Sequence, residues 1–311
     1  MHQQDRSTSS LHLPPLTAAT IQRVEEGLAA ARDRTICDTI QDTLQQVASI
    51  TQEYPEPRVS GRIRHCVLRS LIHALFRVRV EYPEHIPKEP AILAANHLNH
   101  IDPFLLLAQV PAQPYYYILG DARTLYNHWW KRQILQLSGG IIPLTRLWKE
   151  EMAVMAGAKA GRDDLADLAI AIEQDVPSGG ELHTLRQIDR AVQAILTRGD
   201  GLILFPEGRL GSKEGTLHLP LKRGTAIYAI RTGVPIVPVA LIGTQDLYLG
   251  KTLTLRFGEP LRFPQVNRPK RQEVDAVLEA LQNSLMALLP VDYQEPTGAK
   301  PLRYFLNHML C

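Results

Sequence analysis

Cysteine is scarce in this sequence, and long apolar runs are absent. The three cysteines, Cys37, Cys66 and Cys311, stand far apart and form no CxxC pair. That argues against a disulfide framework or a structural zinc site, and it suits a reducing, cytosolic setting. Nowhere do about twenty uncharged apolar residues follow one another, so no spanning helix is expected. The opening MHQQDRSTSSLHLPPL has no apolar core of the kind a signal peptide carries, and none is expected. A net charge of +2 singles out no partner, and nucleic acid is not expected as one. If the protein meets a membrane, it lies on it peripherally, at the cytoplasmic face.

What is present is a globular composition, 45% apolar and 21% charged. A chain of 311 residues exceeds the usual single domain, so one α/β domain with a helical appendage is expected. From Thr17 to about Glu53, Ile21, Val24, Leu28, Ile36, Ile40, Leu44 and Val47 form one apolar stripe. It predicts a helix or helix pair, docked on the main domain or lying on the membrane. YPEPRVSG then breaks the pattern.

The next segment reads RIRHCVLRSLIHALFRVRV. Arg62, His65, Arg69, His73 and Arg77 recur at three or four residues, which makes a single cationic stripe on a helix. Ile63, Val67, Leu68, Leu71, Ile72, Leu75 and Phe76 cover the rest. Six arginines and no acid lie between Arg58 and Arg79. Two readings stay open: the headgroup region of an anionic membrane, or a surface helix with solvated arginines.

From Ala91 onward short apolar runs alternate with helical stretches, as a mostly parallel central sheet flanked by helices requires. The expected strands are Ala91–Ala95, Tyr115–Leu119, Ile141–Leu144, Leu202–Phe205, Ile236–Leu241 and Thr252–Phe257. Expected helices include Pro103–Ala108, Gln187–Thr197, Gly224–Thr232 and Arg271–Leu289. The domain plan is an N-terminal helical segment at 1–57, the basic helix at 58–80 and an α/β domain at 81–290. A helical insertion at 148–185 interrupts that domain, and an irregular tail fills 291–311.

The strand Ala91–Ala95 should deliver Asn96 and His97 to the crevice at its carboxyl end. Asp102-Pro103 has the form of a helix start, with Asp at the N-cap and Pro at the first helical position. Such a loop lets the Asp102 carboxylate accept the His97 Nδ1–H and leaves Nε2 free as a base. His100 is expected to point elsewhere. Lys222 and Arg223, in PLKRGT before a helix, are candidate contacts for a phosphate or for the anionic end of an acyl donor.

Four blocks in order resemble the glycerolipid acyltransferase family, whose bacterial members include 1-acyl-sn-glycerol-3-phosphate acyltransferases. Asn96-His97 and Asp102 match its Asn-His-x4-Asp block, and GIIPLTR from Gly140 to Arg146 matches its Gly-x-Ile element. Phe205-Pro206-Glu207-Gly208 matches the third block, and Val234 to Val239 the fourth. The resemblance runs from about Phe76 to Pro260. Three positions depart from it. Asn99 stands for a Ser or Thr, and Thr145 for an acid. Arg209-Leu210 replaces Thr-Arg.

The resemblance implies transfer of an acyl group from acyl-CoA or acyl-carrier protein to the sn-2 hydroxyl of 1-acyl-glycerol-3-phosphate, giving phosphatidate. His97 would be the general base and Asp102 its orienting partner. Arg146, Glu207, Gly208 and Arg209 would hold the acceptor's phosphate. No cofactor or metal is implied, because the thioester is already activated. The implied partners are the donor, a lysophospholipid and an anionic membrane surface. Glycerol 3-phosphate or another lysophospholipid is the alternative acceptor. A metal-dependent hydrolase using His97, His100 and Asp102, or a catalytically dead lipid binder, are distant alternatives.

Overall fold

The computed structural model describes residues 13–49, 59–127, 131–132, 135, 139–144, 147–176 and 182–308. In chain order the elements begin with helices α1 (Ala18–Arg32), α2 (Arg34–Ser49) and α3 (Gly61–Leu75), followed by strands β1 (Arg77–Glu81) and β2 (Ile92–Ala95). Then come α4 (Asp102–Gln109), β3 (Tyr116–Asp121), α5 (Ala122–Tyr126), β4 (Ile141–Leu144), α6 (Lys149–Lys159) and α7 (Ala166–Asp175). The chain continues through α8 (Leu182–Thr197), β5 (Gly201–Leu204), α9 (Gly224–Thr232), β6 (Ile236–Ile242) and β7 (Thr252–Phe257). Helices α10 (Arg271–Leu288) and α11 (Arg303–His308) complete it.

The strands form one seven-stranded sheet in the order β1-β7-β6-β2-β5-β3-β4. Every pairing is parallel except β6 with β7. Strands β2, β5 and β6 are buried throughout, which explains their unbroken apolar sequences. Alternate residues feed two cores. One face packs Ile92 and Leu202 against α8, α9 and α10, through Ile195, Ala226 and Leu281. The other packs Leu93, Ile203 and Val237 against α3 and α4, through Leu68, Ile72 and Leu106.

The apolar stripe of the N-terminus becomes two helices. Asp33 parts them, accepting the amides of Thr35 and Ile36 at 2.8 and 3.2 Å and so starting α2. Val24 and Leu28 of α1 are buried against Val154 of α6 and Ile172 of α7.

The basic helix is shorter than its charge pattern suggests. It ends at Leu75, and Phe76 is extended at φ −134°. Arg77 to Glu81 form an edge strand paired with β7, so Arg77 is not part of the helical stripe. Arg64 turns inward: its guanidinium donates to the Tyr116 carbonyl at 2.9 Å and lies over the Tyr115 ring at 3.6 Å. The apolar residues divide as well. Leu68, Ile72 and Phe76 face the core, while Ile63, Val67 and Leu71 are 61%, 59% and 51% exposed. The C-terminal tail, expected to be irregular, contains α11.

Candidate active site

Parallel register brings the first and third blocks together. Ala94 of β2 lies opposite Leu204 of β5, so three residues further on His97 and Glu207 leave the same sheet edge side by side. Asn96 is fully buried at the turn. Its amide donates to the Leu241 carbonyl at 2.9 Å, and its side-chain oxygen accepts the Leu241 amide at 2.7 Å. The side chain thus continues the β2–β6 ladder past the end of the strand and fixes where His97 begins.

The His97 Nδ1 lies 2.9 Å from Asp102 Oδ2, and Asp102 is fully buried. A carboxylate facing Nδ1 favours the tautomer that carries its proton there, which in the neutral ring leaves the Nε2 lone pair available to act as a base. The same Oδ2 accepts the amides of Leu98 at 2.7 Å and Asn99 at 2.9 Å. Asp102 therefore does not cap α4, contrary to what its place before proline suggests. It is the helix's first residue, and its carboxylate folds back to cap the turn that carries His97. The imidazole is 17% exposed at its side chain and stacks on Phe205 at 4.0 Å, with 21° between the planes.

His100 sits edge-on to His97 at 6.4 Å. Burial, then the neighbouring His97 and Lys131, lower its pKa to about 4, so it is neutral at pH 7. Among the described residues no three His, Cys, Asp or Glu side chains group as a metal site.

Glu207 faces inward and is 2% exposed. One oxygen accepts the His97 amide at 2.9 Å and the other the His218 amide at 2.6 Å. Burial raises its pKa, and these two amides oppose the rise. The carboxylate is thus committed to the backbone; it braces the base rather than meeting a phosphate. Gly208 has φ +67°, and a Cβ there would lie 2.9 Å from Lys222 Cε, so the Lys222 stem crosses directly over the turn. Arg209 is exposed and donates to His218 Nδ1 at 2.6 Å. Desolvation, then Arg209, Lys149 and Lys222, lower the His218 pKa, so these cations converge beside the third block. Arg223 stands apart from them, 3.6 Å from Asp275 on α10.

Arg146 lies outside the described residues. Three contributors escape a reading by motif. They are the Phe205 ring under the base, the clip made by Asn96, and His218 beside Arg209. Each joins segments far apart in sequence, and only the presence of Asn96, Phe205 and Arg209 inside quoted blocks offers a signal.

An acyltransferase family model matches residues 77–242, more than half of the chain. A 1-acyl-sn-glycerol-3-phosphate acyltransferase of Limnanthes douglasii is 24% identical over 188 residues, covering 58% of this chain and 50% of its own. One of Cocos nucifera is 33% identical over 87 residues, covering 28% of each chain. A chloroplastic one of Brassica napus is 44% identical over 50 residues, 16% of this chain and 14% of its own. This chain thus spans half or less of the length of these curated relatives. The solved structure of the 1-acyl-sn-glycerophosphate (LPA) acyltransferase PlsC from Thermotoga maritima aligns over 89% of both chains, at 18% identity and a TM-score of 0.43. The match from β1 to β6 contains His97, Asp102 and the Phe205–Gly208 turn, and the chain belongs to the acyltransferase family.

Proposed function

We propose that this protein transfers a fatty acyl group from acyl-CoA or acyl-carrier protein to the sn-2 hydroxyl of 1-acyl-glycerol-3-phosphate, forming phosphatidate. The observation that carries this reading is the His97–Asp102 hydrogen bond at the sheet edge shared with the Glu207 turn. His97 Nε2 removes the hydroxyl proton as the oxygen attacks the thioester carbonyl. The new C–O bond forms, the C–S bond breaks, and the imidazolium returns its proton to the leaving thiolate. Asp102 offsets the charge that develops on the ring, and the Phe205 face holds the ring in plane. The thioester is activated already, so the step asks for no metal or redox cofactor.

Arg209 and Lys222 flank the turn on the outer side and are the cations proposed to meet the acceptor phosphate, with Arg146 as a third. A planar guanidinium bonds two phosphate oxygens at once. Arg146→Ala and Arg209→Ala should each raise the acceptor KM several-fold with little change in kcat. An unchanged KM removes that residue from the phosphate site.

The protein is proposed to act peripherally on the cytoplasmic face of an anionic membrane, with α3 in the headgroup region. Supporting this, Ile63, Val67 and Leu71 face outward from a helix that contains no acid. No helix among the described residues is long and apolar enough to cross a membrane. The deciding experiment offers one acyl-CoA to a panel of lysolipids and glycerol 3-phosphate, with product mass as the readout. Phosphatidate from lysophosphatidate is expected. Preference for glycerol 3-phosphate would overturn the acceptor, and no transfer to any acceptor would overturn the reaction.

A further inference from the structure

The C-terminal tail lies beyond the segment that the family model matches, residues 77–242, yet it is firmly held. Lys251, whose side chain is fully buried, donates to Glu295 at 2.8 Å and to the Asp246 carbonyl at 2.8 Å. Lys300 bonds Asp246 at 2.7 Å and Glu295 at 3.0 Å, and Arg303 bonds Asp246 at 2.7 Å. Asn307 takes both the amide and the carbonyl of Leu247, each at 2.9 Å. Leu306 is buried in the same core as Leu68, Ile72 and Phe76 of the α3 segment.

This anchoring presents apolar side chains to the outside. Leu302, Tyr304 and Phe305 are 53%, 79% and 61% exposed. Leu302 is also held at φ +57°, a left-handed conformation that costs energy for any residue with a Cβ. Core packing does not account for a strained leucine turned toward water.

The segment 247–251 joins this surface to α3. Leu249 donates to the Pro301 carbonyl at 2.9 Å, and Gly250 donates to the Leu75 carbonyl at 2.7 Å. The C-terminal end of α3 and the residues leading into α11 are thus tied to one loop, and both helices bury side chains in the same core. Neither helix contains an acid, and none follows Glu295 through residue 308. Among the described residues of the anchor, the three cations Lys251, Lys300 and Arg303 share the two carboxylates of Asp246 and Glu295. The exposed Arg62 of α3 and the 60% exposed Arg303 of α11 belong to the same two helices as this apolar surface, which suits an anionic bilayer, whereas a second copy would set like charge against like.

A cavity of about 720 Å³ lies between α11 and the loop after His97. Leu98, Asn99 and His100 line one side, and Tyr304, Asn307 and His308 the other. We infer that α11 is a second bilayer contact, which with α3 seats the protein so that this cavity opens at headgroup level, next to the loop that holds the base. The inference rests on the membrane reading proposed above and adds to it the element that sets the angle of approach.

The test uses the full chain and sedimentation with vesicles of phosphatidylcholine containing phosphatidylglycerol. The double variant Leu302→Asn, Phe305→Glu changes only exposed side chains, and asparagine tolerates the left-handed conformation. Its vesicle affinity should fall by about tenfold or more. Its thermal midpoint should hold, and so should its transfer to a short-chain lysophosphatidate dispersed as monomers. Affinity within twofold of the parent overturns the inference. A parallel variant, Ile63→Glu with Val67→Glu, separates the two ideas. If that variant loses vesicle binding while the α11 variant keeps it, only the α11 contact fails. If both keep it, the membrane reading fails as well.

Discussion

Replacing His97 by alanine is expected to lower acyl transfer by about 10²–10⁴-fold, the usual contribution of a positioned general base. Asp102→Asn should cost a comparable factor, because an amide that turns its NH₂ toward the ring favours the wrong tautomer. It also disturbs the oxygen that holds the Leu98 and Asn99 amides, so the turn loses order along with the base. His100→Ala should keep most of the rate. Its imidazole is neutral, half-buried, and set edge-on to His97 with no hydrogen bond to Asp102. Initial rates for the three variants, with folding checked by circular dichroism, decide the matter. Loss of activity in the His100 variant with survival in the His97 variant would reverse the assignment.

The second large effect is on stability. Arg123 and Glu151 form a bidentate pair at 2.5 and 3.0 Å, with side chains 6% and 0% exposed. The same carboxylate accepts the Trp148 amide at 2.7 Å, and the Arg123 guanidinium lies over the Trp148 ring at 4.2 Å. This unit fastens the helical insertion to α5 and, through the Gly27 carbonyl, to α1. Glu151→Ala strips a buried guanidinium of its carboxylate and should cost about 3–5 kcal/mol. The melting midpoint should fall by roughly 10 °C. A shift within the error of the measurement would mean that the pair contributes nothing net. Because Lys149 starts the same helix and sits near His218, the variant should also weaken acceptor binding at temperatures where it remains folded.

The sheet is largely legible in the sequence because its central strands are buried on both faces and read as plain apolar runs bounded by turns. Gly224–Thr232 and Ile141–Leu144 fall where the pattern puts them. Legibility fails where two periodicities overlap. The step from His73 to Arg77 is a helical interval, and it hides the alternation of Arg77, Val78, Arg79 and Val80 that belongs to an edge strand. Asp102 misleads in another way. An aspartate before proline offers its oxygen to whichever amides are free, and here the turn upstream takes it. The pairing of His97 with Asp102 is local and therefore readable. Asn96 against Leu241, Phe205 beneath His97, and Arg209 on His218 depend on strand order, which no short motif encodes. Helix α11 leaves no trace in the pattern, because six residues with one buried leucine show no period.

Glu207 links the two halves of the site mechanically. Its carboxylate grips the peptide of the base on one side and that of His218 on the other. If the acceptor phosphate binds Arg209 and Lys222 as proposed, its pull on that loop is passed through the Glu207 carboxylate to the peptide that carries the imidazole. Anchoring one reactant and aiming the base at it are then a single degree of freedom, and a ligand too short to reach the loop would leave the base slack.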